Sequence, residues 1–467
     1  MPDTIPSEGL LDRALRRVST LWRDMADRVS GPDDDASDLA AQMRDCLAAR
    51  GGEVSARARA AGLAQTYVAS DAAGRREFLR TLAAFDSDPE AVARAADALG
   101  AAIDADARAG AKVKLRRALE PPRLRLLTQF TTIPDGMKFL VDLRGELCRI
   151  AEGDGLLEAL EADMKGLLAN WFDVGFLELR RIDWSSPAAL LEKLVDYEAV
   201  HRIRTWRDLK NRLDSDRRCY AFFHPQMPEE PLIFVEVALV QGLAESVQRL
   251  LDQKAPVLDP KTADTAIFYS INNCQRGLDG IAFGNFLIKR VVDVLGAELR
   301  GLKSFATLSP VPGFCRWLAE REQAADDGLL TEAEAVVLRK AAGVPAATHP
   351  TAALSLLMAR KGWLKDAAVA AVLEPVLVRI CARYLVQEGG RNPKRARDPV
   401  GHFHLSNGAR VERVNWLGDV SVKGMRESAG LMVNYLYDPT KMEDQHEAYA
   451  GEGKRAAAPG VRKLLKG

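Results

Sequence analysis

The chain has 467 residues, with 65 Lys plus Arg against 65 Asp plus Glu, so its formal net charge is zero. That length accommodates two or three domains and a sizeable core, and the neutral balance argues against a general nucleic-acid binder, which carries a basic excess. No run approaches the roughly 18 uninterrupted apolar residues that a membrane span needs, and the six cysteines (Cys46, Cys148, Cys219, Cys274, Cys315 and Cys381) form no CxxC pair. Scattered thiols suit a reducing compartment and argue against a disulfide framework or a cysteine-based zinc site.

Residues 7 to 172 read as helices. Leu10, Leu11, Ala14, Leu15, Val18, Leu21, Trp22 and Met25 repeat at helical spacing along one face. Further helices are expected at 36–50, 56–69, 75–86, 89–107, 136–152 and 156–171, with an interruption at Pro121-Pro122. The first histidine is His201, and no cluster suited to chemistry precedes it. Residues 1–172 are therefore expected to pack against the rest or to mediate self-association. Asp3, Glu8 and Asp12 argue against a mitochondrial transit peptide, which is poor in acids.

From Cys219 the texture changes. CYAFFHP and PLIFVEVALV are strand-like, the second apolar enough to be buried on both faces. Glu236 interrupts it, either as an acid in a site or as a charge facing a cleft or a partner, and His224 before Pro225 reads as a turn residue. After a helix at 243–254 comes a strand, Ala266 to Ile271, then a turn holding Gly277, Gly280 and Gly284. The next helix repeats apolar residues at Ile281, Ile288, Val291, Val292 and Leu295, and a strand ends at Ser309. A strand that enters a helix through glycines leaves backbone N–H groups free for a phosphate. The spacing is neither GxGxxG nor GxxxxGK[ST], so an ordinary strand-to-helix turn fits it equally. Alternating strands and helices here predict an α/β layer.

Residues 311–388 read as a mainly helical insertion, followed by the basic loop GGRNPKRARDPVG. HFHLSNGARVERVNW then reads as a β-hairpin turning at Asn407-Gly408, which would put His402 and His404 on one strand face. A His-x-His pair is a metal signal, but no third ligand at telling spacing accompanies it. Asp419 is expected to cap a helix running to about Asn434, followed by Tyr435, Tyr437 and a frayed polar tail.

Three stretches carry a family resemblance. QRGLDGI followed by GNFLI resembles the pyrophosphate loop of the GNAT acetyltransferase superfamily, and LSPVPGF with FHLSNGA resembles one branch of it, the malonyl-CoA decarboxylases. The likeness is close over about 218–438. It implies an α+β chain of two domains: an all-α bundle over 1–172 and a GNAT-like α/β catalytic domain with helical insertions over 173–467.

The resemblance also implies an activity, release of carbon dioxide from malonyl-CoA to give acetyl-CoA. Asp279, Gly280, Ile281, Ala282, Phe283, Gly284 and Asn285 would bind the substrate's CoA moiety, with Ser309, His404 and Tyr437 beside the reacting group. Ser309 would hydrogen-bond the carboxylate or nascent enolate, and His404, expected near its ordinary pKa, would protonate the alpha carbon. Thr307 and His402, each two residues from a catalytic candidate, would face the same site. No metal, biotin or pyridoxal phosphate is expected, because the thioester carbonyl takes up the electrons. A homotetramer is implied. The C-terminal Leu464-Leu465-Lys466-Gly467 is not the Ser-Lys-Leu address, which together with the amino terminus suggests a bacterial cytoplasmic protein. Two alternatives stay open: a GNAT acyltransferase with an amine acceptor, and a non-catalytic CoA-binding regulator needing neither Ser309 nor His404.

Overall fold

The computed structural model describes residues 21–26, 38–48, 53–281 and 286–466. Most of the apolar face expected from Leu10 to Met25 lies outside them. Within residues 21–26, Trp22 is buried and donates its indole N–H to the Pro134 carbonyl at 2.9 Å.

The helical region is built from Leu39–Leu47, Glu53–Ala69, Ala72–Ala83, Pro89–Gly100, Ala105–Leu119, Arg123–Phe130, Gly136–Ile150 and Gly155–Trp171. Aspartates start several of these: Asp71 accepts from the Gly74 N–H, Asp88 from Glu90 and Asp104 from Ala107. Each such cap contributes about 1 kcal/mol. The cap at Asp104 corrects the expected 89–107 helix, which ends at Gly100 before a separate helix starts at Ala105. Tyr67, Phe78, Leu82, Phe130, Phe139, Leu143, Leu157 and Leu160 form a core belonging to this region.

Eight strands follow: β1 (Glu178–Ile182), β2 (Arg217–His224), β3 (Met227–Val240), β4 (Thr265–Asn273), β5 (Ser304–Thr307), β6 (Ser309–Pro310), β7 (Arg410–Asn415) and β8 (Met432–Tyr437). They form one sheet in the order β1-β2-β3-β4-β5-β8-β6, with β7 on the other side of β8. Only β4 and β5 run parallel among these pairs, and the helix Phe286–Glu298 connects them. Its Ile288, Val291, Val292 and Leu295 are buried against a face that includes Phe222, Val235, Phe268 and Phe305. Burial of each such side chain contributes roughly 1.5–3 kcal/mol. The architecture is thus a helical N-terminal region followed by an α/β sheet domain.

Four helices, Phe314–Gln323, Glu332–Ala342, Pro350–Ala359 and Ala367–Val386, lie between β6 and β7 as expected. Elsewhere the expectation needs correction. The 243–254 helix shrinks to the single turn Val247–Leu250. The helix after Asp419 is only Val422–Ser428, capped by Ser421, and Asn434 lies on β8. The C-terminal stretch is ordered into Met442–Glu452 and Pro459–Leu464, anchored by buried Tyr449 and Val461. Among the described residues no helix is long and apolar enough to cross a membrane.

The two regions touch backbone to backbone. A Cβ on Gly277, in the turn after β4, would lie 1.7 Å from the Val141 carbonyl oxygen of the helix Gly136–Ile150. Only glycine permits that approach.

Candidate active site

β5 and β6 form one interrupted strand that pairs with β8, placing Phe305 opposite Tyr437 and Ser309 opposite Val433. The Thr307 Oγ1 accepts the Tyr435 backbone N–H at 3.1 Å, which locks the threonine rotamer. The Ser309 Oγ lies 2.8 Å from Thr307 Oγ1, so these hydroxyls share one face, as the two-residue spacing predicts. Ser309 caps no helix, since the next one starts after Gly313.

His404 arrives by a route the sequence reading missed. Residues 399–406 are a helix, not a hairpin arm. Asp398 caps it by accepting from the Gly401 N–H at 2.8 Å, and Pro399 occupies its first turn. At the other end Gly408 takes φ +77°. Its N–H donates to the Leu405 carbonyl and the Ala409 N–H to the His404 carbonyl, at 3.1 and 3.0 Å. That pair of bonds is a Schellman motif, so Asn407-Gly408 ends a helix. The Asn407 side chain ties back to the Phe403 carbonyl at 2.7 Å.

Helical geometry separates the two histidines, correcting their expected common face. Residues two apart on a helix lie about 200° apart around its axis. His404 points into the sheet, whereas His402 is half-buried with Nδ1 2.7 Å from the Tyr449 hydroxyl. His402 therefore does not join the Ser309 group, and the paired arrangement that suggested metal binding is not formed.

The His404 ring is held at three points. Its Nε2 lies 3.0 Å from Ser309 Oγ and its Nδ1 2.7 Å from the Tyr437 hydroxyl. One ring face stacks on Tyr435, with centroids 4.5 Å apart. Burial alone pushes the His404 pKa down to about 3, and burial likewise raises the Tyr437 phenol far above its ordinary value. The imidazole is thus neutral at neutral pH, which corrects the expectation of a histidine near its ordinary pKa. The pattern of partners assigns its tautomer: Tyr437 donates to Nδ1, the Nε2 hydrogen meets Ser309, and the Ser309 hydrogen goes to Thr307.

The remaining candidates divide. Asp279 and Gly280 are exposed in the turn after Arg276–Leu278, with Gly280 at φ +73°, while Ile281 is buried. Ala282, Phe283, Gly284 and Asn285 lie outside the described residues. Glu236 belongs to neither a site nor a cleft. It is buried on the Arg212 guanidinium at 3.1 Å, and Arg212 also meets Asp208 at 2.9 Å. His224 ends β2 with Nε2 3.1 Å from the Trp171 carbonyl. Two residues of the basic loop bind locally, Arg397 to Glu320 and Lys394 to the Gly451 carbonyl. The part played by Tyr435 had no separate signal in the sequence, because stacking depends on the strand register that puts it under His404.

Residues 175–467 match the malonyl-CoA decarboxylase C-terminal domain family, and residues 85–172 match the malonyl-CoA decarboxylase N-terminal domain family. Mitochondrial malonyl-CoA decarboxylase of Anser anser anser is 37% identical over 353 residues, covering 73% of this chain and 69% of the relative. The Rattus norvegicus protein described in the same words is 35% identical over 367 residues, covering 76% and 73%. Among solved structures, malonyl-CoA decarboxylase from Rhodopseudomonas palustris matches with TM-score 0.81 and 41% identity, over 91% of this chain and 98% of its own. That from Agrobacterium vitis gives TM-score 0.81 and 41% identity, over 92% and 100%. On both sequence and architecture, the chain belongs to the malonyl-CoA decarboxylase family.

Proposed function

We propose that this chain converts malonyl-CoA to acetyl-CoA and carbon dioxide, the reaction classed as EC 4.1.1.9. The observation that carries the reading is the buried line Thr307–Ser309–His404–Tyr437 in a chain of this family. Breaking the bond from the alpha carbon to the carboxylate moves an electron pair into the thioester, which becomes an enolate. Ser309, its hydroxyl rotated from Thr307 to the substrate, offers the hydrogen bond that stabilises charge first on the carboxylate and then on the enolate oxygen. His404 supplies the proton that forms the new C–H bond. The thioester is its own electron sink, so the proposal includes no metal, biotin or pyridoxal phosphate. The turn from Asp279 to Asn285 would bind the CoA moiety, and Tyr437 would hold the imidazole.

A neutral His404 gives this mechanism a proton balance. A carboxylate arriving within hydrogen-bond reach of Nε2 favours the imidazolium, so a proton enters from solvent with the substrate. It leaves on the alpha carbon, and the ring returns to neutral. We expect about one proton to be taken up near pH 7.5 when a malonyl-CoA analogue that cannot lose carbon dioxide binds, read with an indicator dye in weak buffer. Zero uptake would show that His404 stays neutral in the complex and that the proton has another source.

Purified protein mixed with malonyl-CoA, without added metal or amine, should release carbon dioxide and acetyl-CoA in equal amounts, unaffected by a chelator. CoA binding without either product would instead favour an acyltransferase or a CoA-binding regulator, which an amine-acceptor screen would separate. Self-association is inferred too. The helix Pro89–Gly100 buries no residue within this chain, and Ile103, Val113 and Leu119 are 94%, 46% and 52% exposed. Light scattering should give a mass above that of a monomer, and loss of that mass in an Ile103→Glu, Val113→Glu variant would locate the contact. A strictly monomeric wild-type protein would remove the inference. All six cysteines are free, which supports a reducing, cytoplasmic setting.

A further inference from the structure

The helix Gly136–Ile150 turns Leu140, Val141, Leu143 and Leu147 into the cores, yet Arg144 sits among them and is only 2% exposed. Its fork is fully directed. Nη1 donates to the Gly277 carbonyl at 2.6 Å and Nη2 to the Asp279 carbonyl at 3.0 Å. Glu161 Oε1 balances the charge, 2.6 Å from Nη2 and 3.1 Å from Nε. A planar guanidinium divided in this way fixes two carbonyl directions at once.

The second of those directions has a consequence for the next peptide N–H. In a trans peptide the carbonyl and the following N–H point opposite ways. With the Asp279 carbonyl drawn in to Arg144, the Gly280 N–H is turned outward, and among the described residues it meets no acceptor. Close to the same residue stands Lys165, from the helix Gly155–Trp171. A Cβ on Gly280 would lie 3.4 Å from the Lys165 Nζ. Lys165 is exposed and makes no ion pair or hydrogen bond among the described residues. An outward N–H without an acceptor among the described residues, with an unpaired ammonium close to the same bare glycine, suits a phosphate oxygen.

We propose that the helical N-terminal region completes the malonyl-CoA site: Lys165 contacts a phosphate of the CoA moiety at Gly280, and Arg144 is the positioning residue that presents that N–H. This rests on the function proposed above. The helical region then has a part in substrate affinity as well as in packing.

The test is a split between KM and kcat in the full-length enzyme. Lys165→Ala should raise the KM for malonyl-CoA about tenfold and Lys165→Glu further, with kcat within about twofold of wild type. Lys165→Arg should restore the wild-type KM, a rescue that a merely structural role would not require. Arg144→Lys, which keeps the charge but loses the fork, should also raise KM with kcat held. Melting temperatures identify a variant that has simply unfolded, and the exposed Lys165 series keeps the idea testable if Arg144→Lys does so. A wild-type enzyme that turns over malonyl-CoA, with Lys165→Ala and Lys165→Glu variants of unchanged KM, overturns the inference alone. If the wild type releases no carbon dioxide, the function reading fails instead. The same series then decides the phosphate contact through the Kd for CoA by calorimetry, where unchanged Kd values reject it.

Discussion

Replacing His404 with alanine should lower kcat by roughly 100-fold or more while leaving CoA affinity nearly unchanged. The imidazole bonds Ser309 and Tyr437, at 3.0 and 2.7 Å, and stacks on Tyr435. In the proposed mechanism it therefore unites proton delivery with the orientation of the serine. His404→Asn keeps a donor near Ser309 but removes titration, so it should be nearly as slow as alanine if the proton comes from the ring. Ser309→Ala should also lose about 100-fold, through the missing enolate donor. Steady-state kinetics with malonyl-CoA, alongside CoA titrations, separate these outcomes. A His404→Ala enzyme with wild-type kcat would end the proposed mechanism.

The next largest effect is expected from a residue that touches no substrate. Gly408→Ala should be destabilised by at least ~2 kcal/mol, because φ +77° disfavours any Cβ. There is a steric cost as well, since the added carbon would lie 2.1 Å from the Met442 carbonyl oxygen. Relief requires the helix carrying His404 or the helix Met442–Glu452 to move. A shift of about an ångström at the imidazole is enough to cost a large factor in rate. Denaturant unfolding and kcat should therefore fall together. Unchanged kcat in a destabilised but folded variant would mean that the helix cap does not set the position of His404.

Much of the catalytic half was legible because local pattern and tertiary environment agree there. The strand at 266–271, the periodic helix with Ile288, Val291, Val292 and Leu295, and the return strand to Ser309 each satisfy one burial rule. The segment around His404 failed for a physical reason. HFH alternates like a strand, and a glycine at positive φ serves a hairpin turn and a helix C-cap equally well. The deciding signals lay upstream, in Asp398 as the cap and Pro399 in the first turn. The tail misled because its helices are short and each depends on a few tertiary anchors, such as Tyr449 and Val461.

The candidate site was legible unevenly. Ser309, His404 and Tyr437 were found through motif resemblance, and the structure brings them together; Thr307 followed from strand parity. The low pKa of His404 was hidden, because it comes from burial among residues far apart in the chain. Arg144 left a trace that was passed over: a charge on an otherwise apolar helix face, flanked by Leu140, Val141, Leu143 and Leu147. Such a residue requires a partner, and here the partners are Glu161 and two backbone carbonyls, the latter displayed by no sequence pattern.

The contact between Arg144 and the Gly277 carbonyl spans 133 residues. At the ribosome's pace of roughly 5–20 residues per second, that carbonyl is made about 7–27 s after the arginine that will hold it. During that interval the helical region, with its own core of Tyr67, Phe78, Phe130 and Phe139, lacks the turn that will close over its docking strip. The nascent chain therefore carries a guanidinium paired with Glu161 but without its two carbonyl acceptors until β4 and its turn leave the exit tunnel.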